Sequence, residues 1–150
     1  MLNIKVLGAL VACALIVAVP SLAHGGPVVG HPLAKGTMQA TTINAQAGSM
    51  IFEKITIAPG GSFGWHSHPG PSLVIVKSGT LSVYHGPNCM MEEYGPGSAL
   101  GSTFVDQGHD LHLVRNNTTA VDDVYVVSFL PAGFARRIDE PNPNPAVCPN

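Results

Sequence analysis

The sequence predicts an all-β domain, a sandwich or a closed barrel, on three observations. Glycine and proline number 17 and 13 among 150 residues, well above average usage, so turns are frequent and long helices disfavoured. Short runs of β-branched and aromatic residues recur about every ten residues with turn-forming residues between them. Beyond the N-terminal region no 3.6-residue apolar periodicity is sustained. The length allows one domain with one core. Only 11% of residues are charged and the formal net charge is −2. With no basic stripe, nucleic acid is not an expected partner.

The elements follow in chain order. Lys5 precedes an uncharged run from Val6 to Val19, 14 residues long, which is short for a membrane span of about 20 residues and suited to a signal peptide. Small residues at Ser21 and Ala23 fit a cleavage site, so residues 1–23 are expected to be a Sec-type leader removed before His24. The protein is then secreted or periplasmic, with no membrane association after cleavage. Residues 24–36, with four Gly and two Pro, are expected to form an irregular arm. Strands are expected at 49–57, 62–68, 72–77, 80–84, 90–94, 103–105, 109–116 and 121–130. The pair Ser78-Gly79 is read as a tight turn making 72–77 and 80–84 a hairpin. Residues 37–131 thus make the barrel, and 132–150 a Pro-rich tail not expected to pack as helix or strand. Loss of the leader removes Cys13 and leaves Cys89 and Cys148, an even pair in an oxidising compartment. A Cys89–Cys148 disulfide would tie the tail down; two free thiols are the alternative.

The chemistry concentrates in histidines. His66 and His68 are two apart in an expected strand, so both face one side while Trp65 and Ser67 face the other. In 109–116, Leu111 and Leu113 share one face, and Asp110, His112 and Val114 the other. His109 and His112 cannot both point inward from an unbulged strand. His112 is therefore the expected third ligand and His109 a rim residue, with the exchange of the two as the alternative. Three neutral imidazoles with coordination positions left open suit a reactive metal. Trp65, Phe104 and Tyr125 are candidates for stacking on a substrate, with core packing as the other role. Asn116 is expected to end its strand in a turn.

These residues resemble the two motifs of the cupin superfamily, in particular its small single-domain members. Gly60, His66, His68 and Gly79 fall in register with the first motif, and Gly108, His112 and Asn116 resemble the second. The resemblance implies a double-stranded β-helix, or jelly-roll barrel, holding one divalent metal on histidines, and barrels that pair as a homodimer. Two departures stand out. Ser72 occupies the place of the family's metal-binding glutamate, which reduces the site to three His and makes Ser72 a donor to metal-bound water or a fourth-position candidate. Asp106-Gln107-Gly108 stands where the family has Pro-x-Gly, with one extra residue before His112 that a β-bulge would absorb.

The metal is expected to be Fe, Mn, Zn, Cu or Ni. Loading outside the cytoplasm favours Cu or Zn by affinity, whereas family likeness favours Fe. Three functions remain open: a metal-dependent, dioxygenase-like oxidoreductase acting on a small molecule, a non-catalytic module binding a metal or small ligand, and a structural or interface protein. No catalytic base is identifiable, and the lining residues expected from sequence are apolar Val, Leu, Ile and Phe.

Overall fold

The computed structural model describes residues 30–150, of which Pro32–Asn150 form one compact unit. The expected leader, 1–23, and residues 24–29 of the arm lie outside the described residues. The strands in chain order are β1 (Gly48–Ile57), β2 (Ser62–Ser67), β3 (Ser72–Ser78), β4 (Leu81–His85), β5 (Met90–Tyr94), β6 (Thr103–Asp106), β7 (His112–Arg115), β8 (Asp122–Pro131) and β9 (Ile138–Asp139). They form a four-stranded sheet, β1-β8-β3-β6, facing a five-stranded sheet, β5-β4-β7-β2-β9. Every pairing is antiparallel. With β9 set aside as an addition, this order is the eight-strand jelly roll, so the fold is a double-stranded β-helix.

Alternation within the strands builds the core. Ser72, Val74 and Val76 of β3 are buried while Leu73 and Ile75 are not, the period-2 signature of a half-covered sheet. Val74, Val76, Leu81, Val83 and Val124 meet Ile57 between the sheets. Each fully buried side chain of this kind contributes about 1.5–3 kcal/mol. On the opposite face of the five-stranded sheet, Trp65, Leu113 and Cys148 form a smaller cluster with Tyr84, Cys89 and Leu111 packed against it.

Three expectations are corrected. The turn at Gly79 does not close a hairpin: β3 pairs with β6 and β8, whereas β4 pairs with β5 and β7. In a jelly roll the chain crosses between sheets here, and short spacing in sequence cannot distinguish a crossing from a hairpin. Gly79 has φ +86°, and a Cβ on it would lie 1.9 Å from Asp122 Oδ1, which itself accepts the Thr80 N–H at 2.9 Å. The tail is not free of regular structure either. Ile138 and Asp139 pair with Ser67 and His66 as β9, because β2 would otherwise expose an open edge. Finally, β7 begins at His112 rather than 109. Gly108 and His109, at φ +84° and +60°, take up the extra residue in a loop rather than a ladder bulge.

Asn116 does more than end a strand. Fully buried, its Nδ2 donates to the carbonyls of Ile57 and Ala120 at 3.0 and 2.7 Å, and its Oδ1 accepts the Thr118 N–H at 2.9 Å. It thereby ties the ends of β1 and β7 to the turn leading into β8. Cys89 and Cys148 are disulfide-bonded with Cα atoms 5.4 Å apart. The tail they fasten lies over Trp65, whose Nε1 donates to the Pro149 carbonyl at 2.8 Å.

Candidate metal centre

One ladder and one strand end bring His66, His68 and His112 together. His66 and His112 are direct partners across β2 and β7, so both point to the inner face. His68 lies just past the end of β2, two residues on and therefore on the same side. The ring centroids are 4.4 Å apart for His66–His112, 4.9 Å for His66–His68 and 5.3 Å for His68–His112. One ring nitrogen from each lies within 4.8 Å of the others.

Each ring is held by the same device. Nδ1 of His66 faces the Gly64 carbonyl at 2.8 Å, Nδ1 of His68 the Arg136 carbonyl at 2.8 Å, and Nδ1 of His112 the Asp110 carbonyl at 2.9 Å. A carbonyl only accepts, so each Nδ1 carries the proton and each Nε2 lone pair is left for a ligand. This is the outer-shell arrangement that orients metal-binding imidazoles. Burial, reinforced by the neighbouring imidazoles, lowers the His66 pKa from 6.5 to about 3. Burial also lowers His112, against the opposing pull of Asp106. Both rings are thus neutral at neutral pH, as coordination requires.

The alternative third histidine does not join this group. His109 is exposed in the loop before β7, with its N–H donated to the His68 carbonyl at 2.7 Å. Ser72 faces the same cavity as the three histidines, and its hydroxyl donates to Ser128 Oγ at 3.1 Å. Ser128, Ser72 and Asp106 are neighbours on one row across β8, β3 and β6. Of the aromatic candidates, Phe104 lines the cavity and packs on Tyr94. Trp65 and Tyr125 point away from it, Trp65 into the cluster under the tail and Tyr125 onto Phe52 at 5.9 Å between centroids.

Polar groups unexpected from the sequence also line the cavity: Asp106, Arg136 and Arg137. Arg136 is ion-paired with Glu53, and Arg137 with Asp139 at 2.6 Å while also donating to the Phe63 carbonyl. The arginines come from the tail, which β9 brings alongside β2. Their adjacent positions 136 and 137 carried no motif, and only the pairing places them.

No family model matches the chain, and no curated protein matches it. Solved structures similar to it include an uncharacterised protein with a double-stranded β-helix domain from Klebsiella pneumoniae, at 19% identity over 72% of this chain and 89% of that one, TM-score 0.47. A cupin superfamily protein from Desulfitobacterium hafniense has 11% identity over 68% and 84%, TM-score 0.47. An oxalate oxidase in complex with glycolate has 22% identity over 54% of this chain and 42% of its own, TM-score 0.44. The strand order defines the class independently of these likenesses: a double-stranded β-helix barrel, here with a three-histidine cluster that could hold a metal.

Proposed function

We propose that this protein is an exported barrel that holds one divalent transition ion, drawn from Fe, Mn, Zn, Cu and Ni, on Nε2 of His66, His68 and His112. The ion serves a small molecule admitted past Arg136 and Arg137, in oxidoreductase chemistry of the dioxygenase type. The observation that carries the reading is the set of three Nδ1-to-carbonyl hydrogen bonds, which leave Nε2 as the ligand atom of each ring in a cluster within 4.8 Å. A bound ion would supply Lewis acidity and, if redox-active, electron transfer. The chain's own part is to fix the ligands, exclude water with the aliphatic wall of Ile57, Val74 and Val124, and line the cavity with the guanidinium groups of Arg136 and Arg137, held by Glu53 and Asp139. The disulfide supports the exported location, because such bonds persist outside the cytoplasm.

A second reading, capture of a metal or small ligand without catalysis, is favoured by that same aliphatic wall, which contributes only apolar contact to the cavity. Elemental analysis of protein recovered from its export compartment tests the shared part. About one equivalent of one metal is expected, lost in His66→Ala, His68→Ala and His112→Ala. No metal in wild type, or retention in all three variants, overturns it. Oxygen uptake on screening small acids and phenols with the loaded protein then separates the readings: uptake establishes catalysis, and its absence with every metal leaves capture.

A further inference from the structure

The two places where the chain departs from the motif it resembles are Ser72 and Asp106, and the fold makes them direct partners on the β3–β6 ladder. Residues opposed on a ladder point to the same face, and both line the cavity that holds the three histidines. We propose that Asp106 is the fourth protein ligand of the metal, returning from β6 the carboxylate that β3 lacks at Ser72. The inference rests on the three-histidine reading above and extends it.

Three further observations carry it. Asp106 Oδ1 accepts the Gly108 N–H at 2.8 Å, which fixes the carboxylate's rotation. Oδ2 is buried with no hydrogen-bond partner among the described residues, and the side chain is only 9% exposed. A carboxylate oxygen stripped of water and left unpaired is costly, and a cation is the group that relieves it. Oδ2 is also 3.9 Å from Nε2 of His68, too far for a hydrogen bond. Metal bonds of about 2.0–2.2 Å put neighbouring ligand atoms about 3.0–3.5 Å apart. Closing the gap to His68 needs a side-chain shift of about half an ångström, and joining the point that His66 and His112 share needs a further rotation about the single Gly108 tether. The shell then becomes three imidazoles and one carboxylate, drawn from β2, its C-terminal loop, β7 and β6. Ser72, hydrogen-bonded to Ser128, is left as a small neighbour that makes room for the incoming aspartate.

The test is Co(II) titration of the metal-free full chain by calorimetry, with thermal melts of each variant with and without Co(II). Wild type should bind one Co(II), and His66→Ala should abolish binding. Asp106→Asn keeps the oxygen that accepts from Gly108 and should still bind one Co(II), at least about tenfold more weakly, since even outer-shell partners are worth 10- to 100-fold. Its metal-free melting temperature should equal or exceed that of wild type, because a bare buried charge is gone, while its Co(II)-loaded melting temperature falls below. Ser72→Glu combined with Asp106→Asn should recover affinity. Wild type alone gives another readout, a carboxylate stretching band that shifts in the infrared difference spectrum on adding Zn(II). Unchanged affinity in Asp106→Asn, equal destabilisation with and without metal, or no carboxylate shift would each overturn the assignment while leaving the three-histidine site standing. Absence of Co(II) binding in wild type would overturn the three-histidine reading itself, and with it this one.

Discussion

His66 and His112 are direct partners across β2 and β7, their rings 4.4 Å apart between centroids and each pinned through Nδ1 to a backbone carbonyl. Close packing and burial hold His66 at about 3, against 6.5 for an ordinary histidine, and lower His112 in the same direction. Below pH 6.5 the unfolded chain takes up protons that the folded chain refuses. The stabilisation is therefore present above that pH and is lost as pH falls from 6.5 through about 3. Urea denaturation of the metal-free protein should show midpoints that decline across this window, less steeply in His66→Gln. A midpoint independent of pH from 7.5 to 4.5 would mean that the folded rings protonate freely.

Gly79 and Asp122 lock the crossing between the sheets. A side chain at 79 would adopt a left-handed backbone, costing about 1–2 kcal/mol, and would displace the Asp122 oxygen that holds Thr80. Gly79→Ala should therefore destabilise by more than about 2 kcal/mol in equilibrium denaturation. A loss below about 0.5 kcal/mol, the range of ordinary surface substitutions, would show that the turn relaxes without strain.

Asn116 uses two donors and an acceptor that no other side chain of its length supplies together. In Asn116→Asp the carboxylate would face the carbonyls of Ile57 and Ala120 with nothing to donate, in a site with no solvent exposure. The expected cost is about 3 kcal/mol or more, and Asn116→Ser should cost less. Equal stability of wild type and Asn116→Asp at pH 7 would remove Asn116 from its role as the tie between β1, β7 and β8.

Much of this architecture was legible in the sequence because it is local. Period-2 alternation put His66 and His68 on one face and Trp65 on the other, whereas the parity argument for His112 over His109 assumed a strand from 109 that begins only at 112, His109 being set apart by a loop. What was hidden is non-local. Nothing near Ser72 indicates that Asp106, 34 positions later, lies beside it, since ladder register depends on the sheet order and not on either segment's pattern. The two departures were visible one by one, and only their pairing gives them joint meaning. Arg136 and Arg137 were hidden for the same reason: a Pro-rich tail gives no strand signal, and the two-residue β9 exists because β2 offers it an edge.

That tail also links the disulfide to the histidines. Arg136 supplies the carbonyl that orients His68, and the segment carrying it is held to the barrel by the two β9 residues, the Arg136–Glu53 ion pair and the Glu140 N–H on the Trp65 carbonyl before Cys148 is fastened to Cys89. Reduction removes the far anchor of the stretch that covers Trp65, the chain's single tryptophan. In the loop-entropy account a closure of this size is worth up to about 4 kcal/mol. Reduced protein, or Cys89→Ser with Cys148→Ser, should therefore lose about 2–4 kcal/mol of stability and shift Trp65 emission to the red as water reaches the indole. Metal affinity should also weaken, by up to about tenfold, because His68 loses the steadiness of its carbonyl partner. Stability and emission are expected to change together, with affinity following. Unchanged emission after complete reduction would show that the tail is held by its own packing on Trp65 and Leu113 and that the disulfide does not support the site.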